Sequence, residues 1–113
     1  MLNQIVIVGR LVKDPEVIEK DNNKKVSNIT IAVPRSFKNA DGEYESDFIN
    51  CTLWDSIASN TCEYCKKGDI VGVKGRLQTD NFEKDGEKLF KVNVIAERVT
   101  FLSSKKEKEP ELA

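Results

Sequence analysis

The residues of this sequence that are best suited to specific chemistry are four aromatic side chains with polar or charged neighbours. They are Phe37, Phe48, Trp54 and Phe82. A solvent-facing ring can stack on any nucleic-acid base, and each stack contributes about 1–3 kcal/mol of binding free energy. The alternative is that these rings pack beneath loops or against another subunit, where aromatic residues are common.

The segment 47–54 supports the first interpretation because its side chains alternate. Ile49, Cys51 and Leu53 form an apolar face. Since successive side chains of a strand point to opposite sides, the intervening residues share the second face. These are Phe48, Asn50, Thr52 and Trp54. Two large rings that flank two hydrogen-bonding side chains are not typical of a solvated surface, so the pattern indicates a binding face.

Cations accompany the other two rings, as expected of a groove that follows phosphates and stacks bases. Phe37 lies between Arg35 and Lys38, and Phe82 precedes Lys84. A single Lys or Arg is most often a solvated surface charge, so the prediction depends on the whole set. The predicted phosphate and polar contacts are Arg10, Lys13, Arg35, Lys38, Asn50, Thr52, Lys74, Arg76, Gln78, Lys84, Lys88 and Lys91.

The composition argues against catalysis. The 113 residues include no histidine, which removes the commonest general base and the commonest metal ligand. Acidic residues are scattered through polar turns, so we predict no catalytic residue, no metal site and no cofactor. Cys51, Cys62 and Cys65 are one ligand short of a four-ligand zinc site, and we expect them to pack as free thiols.

The cellular compartment follows from the same features. Free thiols are typical of a reducing cytoplasm, and neither a signal peptide nor a membrane span is visible. The net charge of −1 means that any cationic surface must be local. We therefore expect a cytoplasmic protein, and one associated with the nucleoid if the four rings bind nucleic acid.

Five strands and one helix are predicted to position these residues. The strands cover residues 5–12, 26–33, 47–54, 70–79 and 90–102, and the helix covers 55–66. Asp55 or Ser56 is the predicted cap of the helix, and Lys66-Lys67-Gly68 its end. Val71, Val73, Gly75 and Leu77 are predicted to face inward, and Asp85-Gly86 to form a hairpin tip.

The order of these elements predicts an all-β fold: a five-stranded Greek-key OB-fold barrel with one short helix between strands 3 and 4. An SH3-like barrel also has five strands, but does not normally carry a helix there. We predict one domain over residues 1–102. Residues 103–113 are rich in Lys and Glu and are predicted to be a short disordered tail.

The first strand is apolar on both faces, whereas a lone barrel needs only one apolar face. Ile5 and Ile7 lie on one side, and Val6 and Val8 lie on the other. We predict that a second subunit covers the outer side, although the chain's own loops are an alternative cover. The predicted oligomer interface is Asn3, Ile5, Val6 and Val8.

Several short motifs follow one another along the chain. They are Asn3 with the apolar strand into Gly9-Arg10-Leu11, Asp14-Pro15-Glu16, Asp47-Phe48-Ile49-Asn50-Cys51 through Trp54, Lys66-Lys67-Gly68-Asp69, and Gly75-Arg76-Leu77-Gln78-Thr79 with Phe82 after Asp80. In this order they resemble the bacterial-type single-stranded-DNA-binding protein family, over about residues 1–102. The resemblance implies an OB-fold, a homotetramer with single-stranded DNA as partner, and stacking at all four aromatic positions. The implied function is sequence-independent binding and protection of single-stranded DNA in replication, recombination or repair.

Some residues depart from the family's pattern. Asp80 stands where many relatives have a cation, and Asp55 follows Trp54 where relatives often have Arg or Lys, so we expect weaker binding. The acidic recruiting tip of cellular members is absent from Glu109-Pro110-Glu111-Leu112-Ala113. Either the sequence is truncated or it is a phage- or mobile-element-like member, and we favour the second alternative.

Three other functions compete with this interpretation. An OB-fold nuclease needs clustered carboxylates, which the sequence lacks. An adaptor similar to primosomal replication protein N would carry a sparser aromatic set. An RNA-binding OB domain stays open, because stacking does not distinguish DNA from RNA.

Overall fold

Long strands dominate residues 1–103, the part of the chain that the computed structural model describes. The elements are β1 (Ile5–Leu11), β2 (Ile18–Glu19), β3 (Lys25–Lys38), β4 (Tyr44–Trp54), α1 (Asp55–Tyr64), β5 (Ile70–Lys84) and β6 (Glu87–Ser103). A single 3-10 turn, Asp21–Asn23, separates β2 from β3. The predicted tail lies outside the described residues, except that Ser103 is the last residue of β6.

The strands close into a barrel in the order β1-β5-β6-β4-β3, with β3 pairing back to β1. Most neighbours are antiparallel, whereas β4 and β6 are parallel through Cys51↔Val94 and Thr52↔Ile95. This topology confirms the predicted all-β OB-fold. The helix lies between β4 and β5, which are the third and fourth predicted strands, because the two-residue β2 was not predicted.

The barrel interior is filled by the alternating apolar residues of these strands. The fully buried side chains include Leu11, Ile31, Cys51, Leu53, Val71 and Val73. Closure between β1 and β3 depends on Gly9, since a Cβ there would lie 2.2 Å from Ile31 Cγ2 and 2.6 Å from the Ala32 carbonyl oxygen. Only a residue without a side chain allows this approach.

The helix begins at the predicted residue, Asp55, but its cap and its end differ from the prediction. Its N-cap is Trp54, and no side chain caps the first turn. Asp55 has a positive φ of 50°, and its Oδ1 accepts the backbone N–H of Lys25 at 3.2 Å, so this carboxylate joins the helix to β3 instead of capping it. The helix ends at Tyr64, because the following residues turn into β5, with the Asp69 N–H donating to the Lys66 carbonyl.

Two strand pairs extend beyond the predicted limits and form two arms. The β3–β4 arm continues through Pro34 to Lys38 and returns at Tyr44, whereas the predicted strands ended at residue 33 and began again at residue 47. The β5–β6 arm turns at Asp85-Gly86, both with positive φ, as a two-residue hairpin requires. Cross-strand pairing lengthens the strands here, and such pairing is not visible in local composition.

Leu77 is the one predicted inward residue of β5 that the core does not cover. It pairs with buried Val94 but remains 43% exposed, because β5 is leaving the barrel at this point. The Asn3 side chain bonds both backbone groups of Leu77, at 2.8 and 2.9 Å.

Candidate functional site

The outward face of β4 carries the pattern that the sequence indicated. Phe48 is 67% exposed and Trp54 is 40% exposed, whereas Thr52 between them is buried as part of a floor. Thr52 lies beside Ile95 of β6, and Ile95 lies opposite Arg76 of β5. The three strands therefore present one continuous surface between the two arms.

A groove of about 350 Å³ crosses this surface. The predicted residues Thr52, Trp54, Arg76 and Gln78 all line it. Four polar lining residues were not predicted: Lys20, Asn28, Asp80 and Asn93. The alternation of apolar and polar residues along 26–33 is enough to indicate that Asn28 faces away from the core. The strand pairing that brings Asn28 next to Thr52 is a tertiary feature.

Hydrogen bonds between strands hold the polar floor of the groove. Asn93 Nδ2 donates to Thr52 Oγ1, and Thr52 Oγ1 donates to Asn28 Oδ1 at 3.1 Å. One step along the sheet, Thr30 Oγ1 donates to Asn50 Oδ1 at 2.9 Å. The floor is therefore oriented before any ligand arrives, which reduces the ordering cost of binding.

Arg76 is oriented by a relay along β5. Its Nη1 donates to Gln78 Oε1 at 3.0 Å, and Gln78 Nε2 donates to Asp80 Oδ1 at 3.2 Å. The Arg76 guanidinium is thus held by the neutral amide of Gln78, and the Asp80 carboxylate bonds that amide instead of the guanidinium. This arrangement leaves the charge of Arg76 able to attract an anion in the groove.

The β5–β6 arm places Phe82 on the groove side. Phe82 continues the period of two that starts at Arg76, and it lies directly opposite Leu89. Lys84 and Lys91 share this face, since Lys91 pairs with Asp80. Lys88 pairs with Glu83 and therefore lies on the reverse face, away from the other predicted cations of the arm.

The reverse face of this arm carries an exposed apolar strip that the sequence reasoning missed. It consists of Leu77, Val92 and Phe90, all of them exposed. Phe90 lies opposite Asn81 and so points away from Phe82. Alternation along 87–93 could have indicated this strip.

The structure does not bring Arg35 to the groove. Its guanidinium makes ion pairs with Asp47 at 2.8 Å and with Glu45 at 3.0 Å. Hydrogen bonding to Asp47 raises the pKa of Arg35, and the same bond lowers the pKa of the Asp47 carboxyl. Glu45 and Asp47 alternate with Phe48, so this cluster lies on the opposite face of the β3–β4 arm.

The remaining predicted residues of this arm are exposed. Phe37 lies in the stretch where the β3–β4 register shifts, between Pro34 and Lys38. Lys38 lies opposite Tyr44, with its ammonium 5.7 Å from the centre of the Tyr44 ring. Tyr44 was not among the predicted site residues.

Three further predicted cations lie around β1, outside the groove. Arg10 Nη1 donates to the Gly68 carbonyl at 3.0 Å, and Lys13 follows the end of β1. Lys74 pairs with Val6 on the outer surface of the barrel. These residues surround β1 rather than Trp54.

The three cysteines are free thiols. Burial raises the pKa of Cys51 to about 12 and that of Cys65 to about 11, which disfavours the reactive thiolate. Cys62 Sγ lies 3.6 Å from Ser27 Oγ. Within residues 1–103, no group of three or more Cys, Asp or Glu side chains is placed to hold a metal ion.

Comparison with known proteins gives consistent matches. The model of the single-strand binding protein family matches residues 2–102. The chain is 47% identical over 106 residues to the single-stranded DNA-binding protein B of Bacillus subtilis, which covers 93% of this chain and 94% of that protein. It is 48% identical over 103 residues to the single-stranded DNA-binding protein of Bacillus cereus, covering 90% of this chain and 61% of that protein.

A third relative extends the comparison. The chain is 49% identical over 106 residues to the single-stranded DNA-binding protein A of Bacillus subtilis, covering 93% of this chain and 62% of that protein. The chain therefore spans nearly the whole length of one relative and about six-tenths of the length of the other two.

Proposed function

The chain belongs to the single-strand binding protein family, and we propose that it binds and protects single-stranded DNA during replication, recombination or repair. It is a binding protein and not an enzyme, as its family membership indicates. The observation that carries the proposal is the outward face of β4, β6 and β5. There the exposed Trp54 lines a groove with an oriented polar floor and the Arg76 guanidinium, and Phe48 and Phe82 are exposed further along the same face.

Each part of this binding face contributes a different interaction. Trp54, Phe48 and Phe82 offer ring faces on which successive bases stack, and Phe37 extends this set on the β3–β4 arm. Arg76, Lys38 and Lys91 attract backbone phosphates, and this electrostatic attraction weakens as salt rises. Stacking accepts every base, so the binding is independent of sequence.

The single tryptophan of the chain provides a direct test. Titration with oligo(dT) is expected to quench Trp54 fluorescence strongly, because a stacked base contacts the indole. Duplex DNA of matched composition is the control and is expected to cause little quenching. Equal quenching by both, or none by either, would contradict the proposal, and oligo(U) tests the RNA alternative in the same assay.

We further propose that the chain assembles into a homotetramer through β1. Val6 and Val8 are exposed on the outer face of this strand, while Ile5 packs partly against the core. The β1–β3 ladder covers Arg10 and Leu11, so the edge of β1 at 5–9 is available for pairing. Asn3 already bonds the Leu77 backbone of its own chain, which makes it a weaker candidate for the interface.

Cytoplasmic, nucleoid-associated location remains our proposal, since it follows from the proposed ligand. Of the helices in the described part of the chain, none is long and apolar enough to cross a membrane.

A further inference from the structure

Tyr44 shares the groove face of β4 although it lies far from the groove. The pairs Ser46↔Pro34 and Tyr44↔Lys38 show that the register shift adds its extra residues to β3 and leaves β4 regular. Tyr44 therefore points to the same side as Phe48, four residues further along. Its side chain is 61% exposed.

A cation already occupies one side of the Tyr44 ring. Lys38 lies directly opposite on β3, and its ammonium is 5.7 Å from the ring centre. A cation over a ring is attracted by the electron density of that ring. The contact orients the Tyr44 ring and places a positive charge beside it, where a phosphate next to a stacked base would lie.

The two acidic residues that β4 contributes to this arm do not oppose an anion at this position. Glu45 and Asp47 are turned to the other face, where both pair with Arg35. The tip itself is ordered by Asn39, whose Oδ1 accepts the backbone N–H groups of Asp41 and Glu43 at 2.9 and 3.0 Å. The groove side of the arm thus presents a ring and a cation on a folded support.

We propose that Tyr44, with Lys38 over its ring, is a further base-stacking site that extends the path of single-stranded DNA from Phe48 to the tip of the β3–β4 arm. Four strand residues carry the path about 13 Å beyond Phe48. This inference rests on the proposed function, because it names an additional part of the same binding surface.

The test compares oligo(dT) of two lengths, about 5 and about 15 nucleotides, near the two ends of the site sizes known for OB-folds. Tyr44→Ala is expected to weaken binding of the longer oligonucleotide about five- to a hundredfold and to leave the shorter one at wild-type affinity. Trp54 fluorescence reports both titrations. Tyr64→Ala is the matched control, because Tyr64 is 65% exposed but lies on α1, away from the groove.

Two further variants define the contact. Tyr44→Phe keeps the ring and is expected to bind as wild type, whereas a loss equal to that of Tyr44→Ala would indicate a hydroxyl contact and overturn the stacking site. Lys38→Gln is expected to reduce the steepness of the plot of log binding constant against log salt concentration by about 0.7, the value for one phosphate on a single strand.

The two proposals fail in different ways. If wild-type protein shows no quenching with either length, the proposed function fails. If wild-type protein binds both lengths and Tyr44→Ala binds the longer one equally well, only the additional site is wrong.

Discussion

Single side chains in the groove are oriented by neighbours on the same strand or on the next one. The hydrogen bonds from Arg76 to Gln78 and from Gln78 to Asp80 are the clearest case. The Asp80 carboxylate repels DNA phosphates, but through Gln78 it helps to orient the Arg76 guanidinium, which attracts them. The departure noted at Asp80 therefore has two opposing effects. Its charge repels phosphate, and its hydrogen bond fixes Gln78.

Asp80→Asn separates these two effects. An asparagine keeps the oxygen that accepts from Gln78 but removes the charge, so we expect about two- to fivefold tighter binding of oligo(dT) at low salt. The gain is expected to shrink as salt screens the groove. Trp54 fluorescence titrations at two salt concentrations measure it.

Glu83→Gln is the control for this variant, because Glu83 lies on the reverse face of the same arm, opposite Lys88. It removes the same charge without changing the groove. Equal tightening by both substitutions would show that net charge matters and position does not.

The two arms are the elements that extend the binding face beyond the barrel. Each is a two-stranded extension beyond the core, and isolated two-stranded ribbons are marginally stable. The β3–β4 arm is supported by Arg35, which bonds Asp47 with two nitrogens and Glu45 with a third. We therefore assign Arg35 to support of the arm and not to phosphate binding.

This assignment predicts a pH dependence of the arm. The Asp47 pKa is lowered below its ordinary value of 3.8 by the hydrogen bond from Arg35. The stabilisation is therefore fully present above pH 3.8 and is lost as the pH falls through the lower, folded-state pKa. The protection factors of the arm amides, measured by hydrogen exchange and NMR and corrected for the intrinsic exchange rate at each pH, are expected to fall in that range. The effect is small, because the pair is exposed.

Arg35→Gln tests the same contact at neutral pH, where it is expected to accelerate exchange in β3–β4 arm amides and not in the β5–β6 arm. The second arm is the internal control in both experiments. Unchanged protection in the variant, or equal loosening of both arms, would show that the ion pairs do not hold the arm.

At the scale of the whole molecule, the barrel leaves apolar side chains exposed that its own core does not cover. Val6 and Val8 are exposed on β1, and Leu102 lies beside Val8 above Gly72. The strip on the reverse of the β5–β6 arm adds to this surface. Exposed apolar surface of this kind is typical of subunit contacts, and several linked binding sites would increase avidity for one DNA strand.

If β1 forms the interface of the proposed tetramer, Val6→Glu is expected to shift the mass toward smaller species, because it would place like charges at a self-complementary contact. Light scattering coupled to gel filtration measures the mass. Val17→Glu is the control, since Val17 is exposed in the loop before β2. A wild-type monomer, or an unchanged mass for Val6→Glu, would exclude β1 as the interface.

Much of the fold and part of the site could be predicted from local patterns. The alternation of 47–54 identified the outward face with Phe48 and Trp54, and Asp85-Gly86 identified a hairpin tip. Both features depend on neighbours within a few residues, because side-chain direction has a period of two and a tight hairpin requires positive φ. The motif order identified the family over nearly the same residues as the comparison.

The tertiary structure decided what depends on partners distant in sequence. Extra residues in β3 shift its pairing with regular β4, which places Tyr44 opposite Lys38. In the sequence, Arg35 is indistinguishable from the neighbouring cations that were predicted to bind phosphate. The pairing of β3 with β4 places it beside Asp47, with which it forms an ion pair. Strand pairing and charge neutralisation join residues that are distant in sequence and that local composition does not relate. The sequence by itself therefore determined the barrel and its central rings. Which of the surrounding side chains face the groove was decided by the tertiary structure.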